Sequence, residues 1–175
     1  VKNLVARDLK ARYKNSVLGF LWCLVNPLLM MVVFTFVFTV MLPYSNVKHF
    51  PVFVLCAVLP WNFFSTTVMS GINSIVGNAH LIKKVYFPWE VLPLSTVLAN
   101  LVNFLLALLV LFILILVYRI GFSYWLLVYL PLIVLVQVMF TLGISMILAT
   151  VNVFYRDTAV IMEVLLLAWF FVTPI

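Results

Sequence analysis

The sequence predicts an all-α integral membrane protein in which an amphipathic helix precedes the first membrane span. Hydrophobic residues make up 67% of the 175 positions and charged residues only 8%, with a mean hydropathy of +1.32. The hydrophobic fraction of a soluble globular protein of this length is much lower. Uncharged runs of about 20 residues, the length needed to cross a bilayer as a helix, recur along the sequence. These runs lack the alternation of barrel strands, so helices are favoured.

Residues 1–15 form the first predicted element, an amphipathic interface helix on the cytoplasmic side of the membrane. Apolar side chains share one face of this helix, and Arg7, Lys10 and Lys14 lie on the opposite face. A helix of this kind lies in the membrane surface and anchors to lipid headgroups. The same basic face is also suited to a cytoplasmic partner, and the two roles are compatible.

Residues 16–175 form the predicted transmembrane domain. Spans are expected at about 16–42, 50–77, 91–118 and 123–152, and a fifth, incomplete span covers 158–175. A cytoplasmic N-terminus places eight of the ten Lys and Arg residues inside, in agreement with the positive-inside rule. Topology and anionic membrane lipids then explain the net charge of +6, and no nucleic-acid partner is expected.

Two spans carry patterns that allow two interpretations each. In span one, Phe20, Phe34 and Phe38 share a helical face, which either packs against lipid and neighbouring helices or forms a wall on which sugar rings slide. Span two has a polar arc, suited either to close helix packing or to lining a pore. Both interpretations turn this arc inward, away from lipid. Its members are Thr66, Ser70, Asn73, Ser74 and Gly77.

Polar residues inside the remaining spans are uncharged except for one carboxylate. Asn100, Asn103 and Gln137 are best explained as helix-to-helix hydrogen-bonding residues. Glu163 follows Asp157 by about 9 Å of helix, near the inner interface rather than at mid-membrane. This depth favours a structural or inter-subunit role over a proton relay.

A basic, proline-containing segment, NAHLIKKVYFPWEVLP, lies between spans two and three at Asn78–Pro93. A simple turn needs only a few polar residues, whereas this segment adds His80, Lys83, Lys84 and several aromatic side chains. The topology places it in the cytoplasm. The sequence therefore predicts a surface that contacts another protein.

Several kinds of chemistry have no support in the sequence. There is no GxxxxGK[ST] phosphate loop, no metal-ligand spacing, and no arrangement of Ser, His and acid that suggests a catalytic site. The two cysteines, Cys23 and Cys56, fall at different depths, which disfavours a disulfide. No metal and no cofactor are expected on this chain. Because it lacks a nucleotide-binding motif, the energy for any transport must come from a partner.

Three segments together resemble the membrane subunit of type-2 ABC exporters of bacterial surface polysaccharides. They are RDLKARYKNSVLGFLWCLVNPLL near the start, NAHLIKKVYFPWEVLP between spans two and three, and NVFYRD after span four. The similarity covers nearly the whole chain and occurs in the family's order. It is greatest for the branch that exports lipid-linked O-antigen, capsule or teichoic acid.

The resemblance implies a homodimer in the bacterial cytoplasmic (inner) membrane with two ATPase subunits that bind ATP and Mg²⁺. The segment 78–90 would match the family's coupling helix, and spans one and five would line part of a channel for a lipid-linked glycan. The residues expected to contact the ATPase are Asn78, His80, Lys83, Lys84, Tyr86 and Phe87. The residues expected to line the channel are Phe20, Phe34, Phe38, Trp169, Phe170 and Phe171.

Other interpretations of the function stay open beside polysaccharide export. A type-2 exporter of another substrate, such as a lipid or a drug, has the same architecture. A membrane-embedded lipid-linked sugar transferase would need a carboxylate or His pair facing a headgroup cavity, and a scaffold protein would not depend on an ATPase. The family also has a sixth span, so we expect a truncated chain whose last span is missing.

Overall fold

The computed structural model describes residues 4–5, 7, 22–37, 50–84, 88–118, 121 and 124–173. From Trp22 onwards the described residues form seven helices, which we number in chain order. They are α1 (Trp22–Phe36), α2 (Phe50–Ile72), α3 (Ser74–Gly77), α4 (Ala79–Lys84), α5 (Val91–Val117), α6 (Tyr124–Phe154) and α7 (Thr158–Val172). The described part of the chain contains no strand, so the prediction of an all-α protein is confirmed.

Three of the helices are long and apolar enough to cross a membrane, judged by length and composition. They are Phe50–Ile72, Val91–Val117 and Val128–Phe154, which match the predicted spans two, three and four. The fifth predicted span appears as the shorter apolar helix α7. Within the first predicted span, 16–42, the described residues include α1. Within the predicted interface helix, 1–15, they include only Leu4, Val5 and Arg7, which are helical.

Helix α2 lies at the centre of the assembly, in contact with α1, α5, α6 and α7. Its contact with α5 is built from buried aliphatic side chains and from the stacked rings of Phe63 and Phe104, whose centroids are 4.8 Å apart. A second cluster joins Phe64, Val68 and Ile72 of α2 to Leu166 of α7. The position of α2 between α1, α5, α6 and α7 explains why side chains on several of its faces are buried.

The contact between α2 and α6 is a seam of small and hydroxyl residues. Gly71 lies so close to α6 that an added Cβ would meet the Cβ of Ser145 at 2.7 Å. Thr67 and Thr141, on the same two helices, are 0% exposed. Small residues allow helix backbones to approach closely, and this is a common way for helices to associate in a bilayer.

Amide side chains hold the two ends of this seam. Gln137 donates a hydrogen bond from Nε2 to the carbonyl oxygen of Pro60 at 2.7 Å. Asn152 donates from Nδ2 to the carbonyl of Ile72 at 3.0 Å, at the point where α2 ends. The predicted helix-to-helix role of Gln137 is confirmed, and α2 and α6 are tied together by side-chain hydrogen bonds at both ends.

The polar arc predicted for span two divides between two environments. Ser74 is buried and donates its hydroxyl to the carbonyl of Gly71 at 2.6 Å. Thr66 and Asn73 are exposed in the single chain. Close packing therefore accounts for Ser74, whereas Thr66 faces a groove described below.

Candidate functional site

A groove of about 610 Å³ runs between α1, α2 and α7. Helix α2 forms its floor, and the hydrophobic contact of Leu166 with α2 fixes the position of α7 along one side. Met30 contributes from α1. The groove thus lies between the first and fifth predicted spans, with the second span beneath it.

Polar side chains are concentrated on the α2 side of the groove. Asn62, Ser65 and Thr66 lie within about one helical turn and all line it. The Ser65 and Thr66 hydroxyls donate to the carbonyl of Asn62, at 3.3 and 2.6 Å. Across the groove, α7 contributes the exposed carboxylate of Glu163. The groove therefore combines a hydroxyl and amide surface with one negative charge.

Aromatic rings meet beside these polar groups. The Trp61 ring of α2 lies 5.6 Å from the Phe170 ring of α7, between centroids, and both residues line the groove. Phe64 is 5.7 Å from Trp169 in an edge-on arrangement. Trp61 also lines a second cavity of about 350 Å³, shared with Phe64 and Trp169. We call Trp61, Phe64, Trp169 and Phe170 the aromatic cluster.

The structure brings some of the predicted lining residues together and leaves others out. Trp169 and Phe170 both belong to the aromatic cluster, and Phe170 lines the groove. Phe171 packs edge-on against Phe170 at 5.5 Å, is 77% exposed, and lines neither cavity. Phe20, Phe38 and the side chain of Phe34 lie outside the described residues.

A second region lies at one end of the helix assembly, where the three segments that carry the family resemblance meet. Arg7 donates a hydrogen bond from a guanidinium nitrogen to Oδ1 of Asn78 at 2.9 Å. This contact joins the first segment to the second across 71 positions of sequence. Asn78 in turn donates from Nδ2 to the carbonyl of Ser74 at 2.8 Å, which fixes its side chain to α3.

The second and third segments share a cavity of about 480 Å³ at the same end. Ile82 and Trp89 line it from one side, and Phe154 and Arg156 of NVFYRD from the other. The hydrogen bond from Asn152 to Ile72 starts in the same NVFYRD segment. We refer to Arg7, residues 74–84, residues 88–90 and residues 152–157 as the motif end.

The predicted ATPase-coupling residues lie at the motif end where they are described. Asn78 bonds to Arg7, and His80 is exposed on α4. Lys83 and Lys84 are the last residues of α4, and their side chains fall outside the description. Tyr86, Phe87, Lys10 and Lys14 also lie outside the described residues, so their roles stay predictions.

Several groove residues did not enter the sequence-based prediction of the site. Asn62 precedes Thr66 by four residues, so the helical spacing that defined the polar arc extends to it. Trp61 and Phe64 carry no such signal, because aromatic residues in a span usually pack against lipid or other helices. Glu163 is a lone carboxylate in an apolar run of the sequence, but its position beside α2 depends on tertiary packing.

The described residues show no metal-binding cluster. No group of three or more His, Cys, Asp or Glu side chains comes together among them in a way that could hold an ion. The chemistry that the described site offers is hydrogen bonding, aromatic contact and a single carboxylate.

Comparison with known proteins gives a consistent result. Residues 1–175 match the family of ABC-2 type transporter membrane proteins. The chain is 44% identical over 173 residues, 99% of its length, to the O-antigen export system permease protein RfbA of Myxococcus xanthus. It is 36% identical over 169 residues to a protein of the same name from Klebsiella pneumoniae. The chain spans 66% and 65% of the lengths of these relatives.

The match covers every part of the structure discussed above, from Arg7 to the aromatic cluster on α7. The apolar helices, the groove and the motif end all fall within it. The chain is a multi-pass membrane protein, and it belongs to the ABC-2 type transporter family.

Proposed function

We propose that this chain is the permease subunit of an ABC transporter that exports a lipid-linked polysaccharide across the bacterial cytoplasmic membrane. Two copies form the membrane channel, and two separate ATPase subunits bind ATP and Mg²⁺ and supply the energy. The N-terminus lies in the cytoplasm, so the motif end faces the ATPases. The relatives named as O-antigen export permeases support a glycan as the substrate.

Three segments that are distant in sequence meet at the motif end, and this convergence is the main support for the proposed function. Arg7, Asn78 and the NVFYRD segment are far apart in sequence, yet they meet through the hydrogen bonds and the cavity described above. A loop that only reversed the chain would need none of these contacts. A surface held together by such contacts at one end of a membrane domain is expected where a partner protein binds and exerts force.

The helix connections provide a route from this surface to the groove. Helix α4 joins α2 through the short helix α3, and α2 carries Asn62 and Thr66 on the groove floor. The seam and its amide hydrogen bonds tie α2 to α6. Movement of α4 is therefore expected to shift α2 and α6 together against α7, which changes the width of the groove. This couples two sites through one packed unit.

The groove itself suits a passing polyol. Hydroxyl and amide groups on α2 can exchange hydrogen bonds with sugar hydroxyls, and Trp61 and Phe170 offer ring faces and edges. Individual contacts of this kind are weak, so a polymer can move from one set to the next. A hydrocarbon substrate would gain little from Asn62, Ser65 and Thr66.

Deletion of the gene for the full-length protein tests the proposed function in cells. We expect the surface glycan to disappear while its lipid-linked precursor accumulates on the cytoplasmic side, and reintroduction of the gene to restore both. Co-purification with an ATPase subunit is expected in the restored strain. An unchanged surface glycan in the deletion strain would contradict the proposal.

The adjacent residues Phe170 and Phe171 provide a matched pair for testing the groove. Phe170→Ala removes a ring that lines it, and loss of a contact of about 0.5–1.5 kcal/mol is expected to reduce glycan export roughly twofold to tenfold. ATP hydrolysis by the complex should change less. Phe171→Ala removes a ring of the same size that lines neither cavity and should leave export near wild type. Equal losses of export and hydrolysis in Phe170→Ala would indicate a packing role instead.

A further inference from the structure

The helical structure is interrupted twice between the membrane-spanning helix α2 and the short helix α4. One break is at Asn73, between α2 and α3, and the other is at Asn78, between α3 and α4. Helix ends leave backbone groups without a partner inside the helix. A joint that lacked further hydrogen bonds would bend when force is applied to α4, and the force would not reach α2.

Side-chain hydrogen bonds brace the first of these breaks. Ser74 donates from Oγ to the carbonyl of Gly71 at 2.6 Å, and Asn152 of α6 donates from Nδ2 to the carbonyl of Ile72 at 3.0 Å. Both donors belong to buried residues, so water does not compete for these bonds. The end of α2 is therefore held to α3 and to α6, and this joint is stiffer than a simple helix break.

Asn78 provides the brace at the second break. Its Oδ1 accepts a hydrogen bond from the Arg7 guanidinium at 2.9 Å, and its Nδ2 donates to the carbonyl of Ser74 at 2.8 Å. Its backbone carbonyl accepts from the N–H of Ile82 in α4 at 3.3 Å. An amide carries both an acceptor and donors, whereas a carboxylate of the same size only accepts. One residue thus links the N-terminal segment, α3 and α4, and we call its two side-chain bonds the Asn78 clamp.

The bond to Arg7 adds a part of the chain that backbone connections alone would leave independent of α4. Arg7 is helical and lies 71 positions before Asn78. Its guanidinium is charged, and hydrogen bonds from a charged donor are stronger than those between neutral groups. A shift of α4 must therefore either carry the N-terminal helix with it or break this bond.

Building on the proposed drive by an ATPase, we propose that Asn78 is a positioning residue that makes the N-terminal helix, α3 and α4 move as one unit with α2. It acts inside the chain and not as a contact for the ATPase, the role that the family resemblance implied for it. The clamp is expected to determine how much transport each ATP drives. Binding of the ATPase depends on other residues of the motif end.

A double-mutant cycle tests the clamp in proteoliposomes that contain the full-length protein, its ATPase and a lipid-linked glycan. The readout is the amount of glycan transported per ATP hydrolysed. Arg7→Met keeps a long side chain without the guanidinium, and Asn78→Ala removes the amide. We expect each change to lower the ratio about threefold to tenfold, and ATPase co-purification and ATP hydrolysis to change by less than about twofold. The double variant should behave as Asn78→Ala does, because that change alone already breaks the bond to Arg7.

Two further variants separate the clamp from general effects of substitution. Asn73→Ala removes an exposed amide whose Nδ2 donates to the carbonyl of Met69 in α2 at 3.3 Å, and it should keep the wild-type ratio. Arg7→Lys keeps a charged donor on a long side chain and should retain most of the ratio that Arg7→Met loses. A merely structural role of Arg7 would not distinguish transport from hydrolysis in this way.

The possible results lead to distinct conclusions. Independent losses that multiply in the double variant would overturn the clamp, and so would loss of the ATPase from purified Asn78→Ala. If Asn78→Ala does not reach the membrane, the Arg7 variants decide. A wild-type ratio in Arg7→Met would then overturn the clamp, and a low ratio that Arg7→Lys restores would support it. A wild-type complex that hydrolyses ATP without moving glycan would instead overturn the proposed function.

Discussion

Lys83→Glu combined with Lys84→Glu is expected to weaken binding of the ATPase subunit by at least tenfold and to abolish glycan export. The two lysines end α4 in the basic segment at the motif end, and the double replacement changes the local charge by about four units. Charge reversal at the rim of an interface slows association and adds repulsion. Co-purification of the ATPase with the tagged full-length protein measures the effect, and membrane insertion should be unchanged.

A matched control reverses the same amount of charge elsewhere. Lys48→Glu with Arg119→Glu alters the two basic residues that the topology assigns to the outer side of the membrane. This variant should retain the ATPase. Retention of the ATPase at wild-type yield by the Lys83→Glu and Lys84→Glu variant would show that these residues do not contribute to docking.

Gly71→Ala is expected to destabilise the protein by about 1–3 kcal/mol, the usual cost of adding a methyl group to a closely packed contact. The new Cβ would meet the Ser145 Cβ at 2.7 Å, so α2 and α6 must separate. Separation also strains the hydrogen bonds of Gln137 and Asn152 at the ends of the seam. Thermal unfolding of the detergent-purified protein measures the change.

Two further variants separate the close contact from a general effect of glycine replacement. Gly143→Ala adds a methyl group on α6 where nothing lies within 4 Å of the new Cβ, and it should be neutral or stabilising by up to about 1 kcal/mol. Ser145→Gly combined with Gly71→Ala removes the clashing Cβ and should restore most of the stability. A Gly71→Ala protein as stable as Gly143→Ala would rule out the close contact.

The transmembrane helices were predictable because their boundaries depend on local sequence. Uncharged runs predicted spans at 50–77, 91–118 and 123–152, and the structure has helices at Phe50–Ile72, Val91–Val117 and Tyr124–Phe154. The break at Asn73 was not predicted. Helix α2 ends before Asn73, and the short helix α3 continues the chain to Gly77. The backbone N–H of Gly77 donates a hydrogen bond to the carbonyl oxygen of Asn73 at 2.9 Å.

The site was less predictable because it depends on contacts between distant residues. Periodicity identified the polar arc of α2, but it could not show that Ser74 packs against other helices while Thr66 lines the groove. The bond between Arg7 and Asn78 joins residues 71 positions apart, and no local pattern indicates it. Glu163 was predicted to have a structural or inter-subunit role. Its place on the groove wall follows from how α7 packs against α2.

The motif end and the groove are expected to have different roles within one chain. The motif end presents His80 and Arg156 as exposed side chains and is expected to receive force from the ATPase. The groove presents hydroxyl and amide groups and aromatic rings, and it is expected to contact the glycan. Helix α2 belongs to the groove and leads through α3 to the motif end, so variants in α2 should affect both transport and its coupling to ATP hydrolysis.

Reconstitution tests most directly whether this chain is an ATP-driven glycan permease. Proteoliposomes would contain the full-length protein, its ATPase and a lipid-linked glycan, and a glycosidase added on one side would report which leaflet exposes the sugar. We expect sugar to move to the opposite leaflet when ATP is present, and not when either ATP or the ATPase is omitted. Movement of the glycan without the ATPase, or no movement in a complex that hydrolyses ATP, would contradict it.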